Sequence, residues 1–371
     1  MTGFRWLHFT DLHFGMPGQS SLWPNVEQVL LDDMAYLREQ VGPWDLVIFT
    51  GDLTQRGTKA EFDALDELLR KIWSRFAAWE MTPQLLAIPG NHDLVRPGDA
   101  TDTALITLLH DWDIPTVQTP FWREPDCAQR RLVSSAFQGF TRWWTSTGIP
   151  KPPTLKQGLL PGEWAASVDV GSFKLGILGL NSAYLQLAGG DFKRRLHLDI
   201  QQFHGACGGH GPDWISRHDA RLLLTHHPID WLTPEAQRHF VDEIYAPPER
   251  FALHLFGHMH EANLSSVGHG GGHPRRGLQG CSLFGLETWG EIGTQREHGY
   301  ALCELALEDG ELRLRIWPRR AVLKQGGGRK LERDQSFDLD ERDGGTHPLV
   351  VARVDGSAGM PIPAAAQPIA R

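Results

Sequence analysis

Pro89-Gly90-Asn91-His92-Asp93 is the stretch on which the fold turns. It follows Gln84-Leu85-Leu86-Ala87-Ile88, an apolar run of the length of a buried strand. Pro89 stops the strand and Gly90 permits a sharp turn. Three polar side chains then stand in a row at the strand end. Ordinary turn chemistry accounts for Asn and Asp in such a place. Site chemistry accounts for all three. Asn91 offers a carbonyl oxygen to a metal, His92 a titratable imidazole, and Asp93 a carboxylate that orients a neighbouring imidazole.

The segments before it repeat the pattern. Phe4 to Thr10 reads as a strand and breaks at Asp11-Leu12-His13. Asn25 to Val41 has helical spacing, with Val26, Val29, Leu30, Met34 and Leu37 on one side. A second buried strand, Asp45 to Thr50, breaks at Gly51-Asp52-Leu53-Thr54. Thr58 with Glu61 predicts a capping box, and the helix runs to about Trp79 with Phe62, Leu65, Leu68, Leu69, Ile72 and Phe76 buried. Strand, helix, strand, helix, strand predicts a parallel sheet with helices on its faces. Its ligands belong at the carboxyl ends of the strands.

Residues 95–162 break the rhythm with Phe121-Trp122-Arg123, Arg130-Arg131 and Trp143-Trp144. They predict one or two helices and loops, inserted as a cap over the site. Their aromatic residues suit cap core or base stacking. Arg123, Arg130, Arg131 and Arg142 suit phosphate or a solvated face. Ala165–Val170 and Phe173–Leu180 predict a hairpin, and Asn181-Ser182 after it, at another strand end, suits contact with the site but reads better as an ordinary turn. Arg221 to Thr225 ends at His226-His227-Pro228, and Phe251 to Phe256 ends at Gly257-His258-Met259-His260. Leu278–Leu283 is a further candidate strand, and Asp309-Gly310 predicts a hairpin between Tyr300–Leu307 and Glu311–Trp317. Residues 1–318 are therefore expected to form one domain. Residues 319–371 are expected to be a basic, Gly-rich segment followed by a Pro/Ala-rich flexible tail.

The totals agree with a globular protein. Of 371 residues, 41% are apolar and 22% charged, and the net charge of −9 argues against a surface built wholly for nucleic acid. Cys127, Cys207, Cys281 and Cys303 form no CxxC pair, and the chain starts without a signal-like segment. No apolar run reaches the ~20 residues of a membrane span, so a cytoplasmic location is expected.

Asp11, His13, Asp52, Asn91, His92, His226, His258 and His260 gather at five strand ends. Each x-separated pair, Asp11-x-His13 and His258-x-His260, places two ligands on one side of an extended segment. Carboxylate, imidazole and amide without Cys suit Mn, Fe, Zn, Ni or Co rather than an iron–sulfur cluster or a Ca²⁺ cage. Seven ligands exceed one tetrahedral ion and suit two ions sharing a bridge. His8, His110, His197, His204 and His210 fall outside the pattern and read as structural or surface residues.

Asp-Leu-His, Gly-Asp, Gly-Asn-His-Asp, His-His-Pro and Gly-His-Met-His, in that order, resemble the calcineurin-like metallophosphoesterase superfamily over residues 4 to 318. Gly51-Asp52-Leu53-Thr54 with Gly57 and Glu61-Phe62 is similar to its bacterial cyclic-nucleotide phosphodiesterases. The double-His ending is similar to these and to the repair nucleases. The resemblance implies a four-layer αββα sandwich and two metal ions, Mn, Fe or Zn. It implies that Asp11, His13, Asp52 and His260 hold one ion, that Asn91, His226 and His258 hold the other, and that Asp52 bridges them. His92 would face the substrate as general acid, and His227 would lie behind His226, although it is the alternative ligand. The implied reaction is in-line attack of a bridging hydroxide on a phosphodiester, a small or cyclic nucleotide. A nuclease is the alternative, supported by the basic stretch 313–330; a phosphomonoesterase and a binding module on a degenerate fold are lesser ones.

Overall fold

The computed structural model describes residues 3–17, 19–99, 101–268, 273–283, 288–289, 294–295 and 298–354. Strand β1 (Gly3–Phe9), helix α1 (Gln19–Val41), β2 (Leu46–Thr50), α2 (Lys59–Ala78) and β3 (Gln84–Ile88) follow in order. The three strands lie parallel, because each crossover is made by an amphipathic helix. α2 begins as expected. Thr58 Oγ1 accepts from Glu61 N at 3.2 Å and the Glu61 carboxylate accepts from Thr58 N at 3.1 Å. Its six predicted apolar residues are the buried ones.

Residues 95–162 hold four helices rather than one or two: α3 (Thr103–His110), α4 (Pro115–Arg123), α5 (Ala128–Ala136) and α6 (Gln138–Ser146). Each spans nine residues or fewer, so its periodicity is too short to stand out from a loop. The aromatic residues are core. Phe121 stacks on Tyr184, and Trp143 stacks on Phe62 of α2. Arg130 is buried and donates to the Phe121 and Leu159 carbonyls, while Arg142 pairs with Asp63. Neither of these arginines is left for phosphate.

The second half builds another sheet from β4 (Lys156–Gln157), β5 (Trp164–Asp169), β6 (Lys174–Gly179), β7 (Ala220–Leu224), β8 (Leu253–Phe256), β9 (Asn263–Val267) and β10 (Arg275–Gln279). Helices α7 (Ile200–Ala206), α8 (Gly211–Ser216) and α9 (Pro234–His239) connect them. Its order is β4-β5-β6-β7-β8-β10-β9, with β6, β7, β8 and β10 parallel. A short pair, β11 (Thr288–Trp289) and β12 (Thr294–Gln295), precedes β13 (Gly299–Glu308), β14 (Glu311–Leu323), β15 (Arg329–Arg333) and β16 (Leu349–Arg353). These last four extend the first sheet to β15-β14-β13-β1-β2-β3, with β16 also on β14.

Strand periodicity shows the layers. Leu175, Ile177, Leu222 and Leu224 pack into the core shared with β1, β2 and β3, whereas Leu178 and Leu223 face helices on the far side. The result is the expected αββα sandwich. No helix among the described residues is long and apolar enough to cross a membrane.

The segment after residue 318 departs from expectation. β14 runs through Pro318, and residues 329–353 add two strands to the sheet. Gly327 and Gly328, at φ 88° and 78°, make a hairpin tip rather than a flexible linker. The basic side chains find carboxylates that lie far away in sequence. Arg315 makes two 2.8 Å bonds to Asp343, and Arg319 pairs with Asp33 of α1, which also accepts from Tyr300 Oη at 2.7 Å. The Pro/Ala-rich part of the expected tail, 355–371, lies outside the described residues.

Arg319 and Asp33 are nearly inaccessible, so Asp33→Ala strands a buried guanidinium. It should cost about 3–5 kcal/mol, read as a lower guanidinium-chloride midpoint at constant slope. A loss below about 1 kcal/mol, the value of a surface pair, would show that the hairpin is held by other contacts.

Candidate metal centre

Every predicted ligand lies just beyond the carboxyl end of a parallel strand. β1 leads to Asp11 and His13, β2 to Asp52, β3 to Asn91 and His92, β7 to His226, and β8 to His258 and His260. The turns are sharper than an extended x-separated pair requires. Asp11, His13, Asp52, His258 and His260 have φ of 51°, 48°, 52°, 72° and 57°. A side chain in this left-handed region costs about 1 kcal/mol or more and persists only where its surroundings impose it. The neighbouring turns supply that restraint. Asp11 N donates to Gly51 O at 3.0 Å and His13 N to Asp52 O at 2.9 Å.

Asp52 stands in the middle. Its Oδ2 lies 3.3 Å from His226 Nε2 and 3.8 Å from His13 Nε2, and its Oδ1 accepts from His92 N at 2.8 Å. On one side, Asp11 Oδ1 is 3.1 Å from His260 Nε2, which is 3.2 Å from His13 Nε2. On the other, His226 Nε2 is 3.1 Å from Asn91 Oδ1 and 3.3 Å from His258 Nδ1. His226 Nδ1 donates to Thr50 O at 2.8 Å, which aims its other nitrogen inward. Gly90 packs so close to Asp52 that any Cβ there would strike its carboxylate.

This donor set fits two metal ions. Asp11 Oδ1 is enclosed, with the Nε2 atoms of His260 and His13 at 3.1 and 3.7 Å as its neighbours. Lone pairs of imidazole, amide and carboxylate converge at distances that only a proton or a cation reconciles. The electrostatics agree. Burial pushes the Asp52 carboxyl up, but His226 and His92 outweigh it and hold the group well below the usual carboxylate range. Burial pushes His226 down, but Asp52 and then Asp11 outweigh it and drive the imidazole up to about 9. A buried anionic pair has thus drawn in the nearest available positive charge.

The accessory residues fall differently. His92 Nδ1 donates to Gln55 O at 2.9 Å, since a carbonyl only accepts, and the ring sits edge-on to His13 at 4.7 Å. Among the described residues Asp93 bonds no imidazole. Its carboxylate accepts from Leu53 N, Thr54 N and Gly90 N at 3.1, 2.8 and 2.9 Å and ties the β2 and β3 turns together. Burial, then Asp52, pushes it up to about 7. His227 lies behind His226, bonded through Nδ1 to Ser182 Oγ at 3.0 Å and through Nε2 to Gln186 Oε1 at 2.9 Å. His8 bonds Thr50 Oγ1, His197 bonds Tyr184 Oη, His204 accepts from Gly211 N, His210 caps α8, and His110 is exposed on α3, all apart from the cluster.

Three neighbours escape the sequence pattern. Ser182 Oγ accepts from His226 N at 3.2 Å and His227 N at 3.0 Å, while Asn181 caps its own turn at Ala183 N. Gln186 holds His227, and Trp231 lies edge-on to His258 with ring centroids 4.0 Å apart. Ser182 alone had a signal, its place at a strand end.

A family model for calcineurin-like phosphoesterases matches residues 4–262. The chain belongs to that family. Its His and Asp clusters suit the dinuclear centre of a metallophosphoesterase. Three solved structures resemble this calcineurin-like phosphoesterase at low identity. GAP50, the anchor in the inner membrane complex of Plasmodium, is 10% identical at TM-score 0.44, covering 90% of this chain and 89% of that one. Vps29 of Chaetomium thermophilum is 12% identical at 0.33, covering 90% and 96%. The sulfate thiohydrolase SoxB of Thermus thermophilus, in complex with glycerol, is 16% identical at 0.34, covering 85% and 56%. Likeness this slight carries no weight for function. No curated protein matches the chain.

Asp52→Ala should abolish loading of both ions, measured as metal per chain after dialysis against Mn²⁺. Gly90→Ala should weaken loading at least tenfold by displacing Asp52. Full metal content in both variants would contradict a centre built around that carboxylate.

Proposed function

We propose that this calcineurin-like phosphoesterase hydrolyses a phosphodiester, with a small nucleotide or cyclic nucleotide as substrate. One observation carries the reading. The two imidazoles of Gly257-His258-Met259-His260 part around Asp52, so that His260 joins Asp11 and His13 while His258 joins Asn91 and His226. This is the double-His ending that resembles phosphodiesterases. Asp11, His13, Asp52 and His260 would hold one ion and Asn91, His226 and His258 the other, with Asp52 shared. Manganese, iron and zinc all suit these donors. Bound there, the ions supply Lewis acidity and an acidified water for an in-line displacement.

The chain's own residues do the rest. His92 is partly exposed beside Asp52, and its Nδ1 proton is fixed on the Gln55 carbonyl. Its Nε2 is therefore the nitrogen that gives a proton to the leaving oxygen. Asp93 clamps the two turns that carry Asp52 and His92. Ser182 and Thr50 hold His226 by backbone and ring. The nuclease reading loses part of its support, because four side chains of the basic stretch pair with carboxylates: Arg313 with Glu311, Arg315 with Asp343, Arg319 with Asp33, Lys330 with Glu332. No disulfide joins the four cysteines, which fits a reducing compartment such as the cytoplasm.

Mn²⁺-loaded protein should turn over bis-p-nitrophenyl phosphate at least tenfold faster than p-nitrophenyl phosphate, and cleave small nucleotide diesters in preference to labelled single-stranded DNA. Hydrolysis of the monoester alone would overturn the reading. His92→Ala should retain its metal. It should slow diesters with alkoxide leaving groups about 100-fold or more, the usual range for a lost general acid, and the aryl ester far less. Equal losses on both would remove His92 from the proton-donor role.

A further inference from the structure

An imidazole that ligates a metal is usually aimed by a hydrogen bond at the nitrogen that faces away from it. His226 follows that rule through Thr50 O. His258 does not. Its Nδ1 faces His226 Nε2 at 3.3 Å, and among the described residues no protein group bonds its other nitrogen. Its backbone is held, since His258 N donates to Asp11 Oδ2 at 2.9 Å, but that bond leaves the ring free to turn. Packing is what stops the ring. Half-buried Trp231 stands edge-on to it, with centroids 4.0 Å apart and planes at 83°, and His227 lies against it at 4.4 Å. Trp231 and His227 are 5.7 Å apart, so each of the three rings lies against the other two.

The two backing rings are themselves fixed. Ser182 Oγ accepts from His226 N and His227 N, which fills both lone pairs of the hydroxyl. Its one proton then goes to His227 Nδ1, 3.0 Å away. The proton of His227 is left on Nε2, which donates to Gln186 Oε1 at 2.9 Å. Both nitrogens are spent on protein, so His227 offers His258 a ring surface and offers a cation nothing. Trp231 is set by its backbone. Trp231 N donates to Pro228 O at 3.1 Å, Leu196 N to Trp231 O at 3.2 Å, and Thr233 N to Leu196 O at 2.8 Å, while Lys193 pairs with Asp230 at 3.4 Å. The loop after β6, which carries Gln186, and the loop after β7, which carries Trp231, are thus joined behind one ligand. Among the described residues neither Trp231 nor His227 bonds or stacks with Asp11, His13 or His260.

We infer that Trp231 is a positioning residue for one of the two ions alone, the one assigned to Asn91, His226 and His258. With His227 it sets the His258 ring. Retention of this ion therefore depends on the loops after β6 and β7, and retention of its neighbour does not. The inference rests on the two-ion reading of the centre and adds an asymmetry to it. Loss of a group that orients a metal ligand costs about 10–100-fold in metal affinity. Here the orienting group is an aromatic edge in place of a hydrogen-bond acceptor.

The test titrates metal-free, full-length protein with Mn²⁺. Bound metal per chain is read by elemental analysis, and the state of the ions by electron paramagnetic resonance, in which an exchange-coupled pair and an isolated Mn²⁺ give different spectra. Wild type should bind two ions and show the coupled spectrum. Trp231→Ala should keep one ion at wild-type affinity, with the isolated spectrum, and need about 10–100 times more free Mn²⁺ to take up the other. Trp231→Phe, which keeps a ring edge against His258, should recover most of the loss. Trp231→Leu, which keeps bulk without a ring, should behave as the alanine variant does and guards against its misfolding. A His258→Ala background identifies the weakened ion: that ion is already lost there, so Trp231→Ala should change nothing further. Wild-type titration of both ring-deleted variants, equal weakening of both ions, or a further loss in the His258→Ala background overturns this inference alone. A wild type that binds a single ion overturns the two-ion centre and this inference with it.

Discussion

The buried carboxylate of Asp52 is the constraint on which the rest depends. It is removed from water, yet it faces His13, His92 and His226 from three different strand ends and accepts from the backbone amide of His92. A charge so placed is tolerable only where cationic partners surround it. The fold brings those partners together by laying two sheets face to face, with the carboxyl ends of β1, β2 and β3 meeting those of β7 and β8. The left-handed turns at Asp11, His13, Asp52, His258 and His260 are the local strain that this convergence imposes.

A second layer of hydrogen bonds holds the turns of the centre in place. Asp93 binds the turn amides around residues 53, 54 and 90, Thr50 fixes the His226 ring, and Ser182 fixes the His226-His227 backbone. Farther out, Asp33 anchors Arg319 of the C-terminal hairpin against α1, so the strands added after residue 318 brace the same sheet that carries Asp11 and Asp52.

Much of this was legible in the sequence, and the division has a physical cause. Short apolar runs ended by Asp, Asn or His mark both the strand and the site, so the parallel strands and all eight clustered side chains could be read from local pattern. The capping box at Thr58 and the hairpin at Asp309-Gly310 are local signals too. What local pattern does not encode is the partner. Asp93 looks like a ligand-orienting carboxylate until the amides of the neighbouring turn are in place. Arg319 looks like part of a flexible basic run until Asp33 meets it. Gln186 and Trp231 have ordinary surroundings in sequence and reach the centre through the packing of the loops after β6 and β7. The four short helices of 95–162 were blurred for a different reason: each has too few turns for a period to register.

The central claim is that Asp52 joins two metal sites of separate composition. The most direct test is the anomalous scattering of crystals grown with Mn²⁺. The account predicts two peaks on either side of Asp52, one among Asp11, His13 and His260 and one among Asn91, His226 and His258. A single peak, or a pair that leaves Asp52 without contact to both, would contradict it.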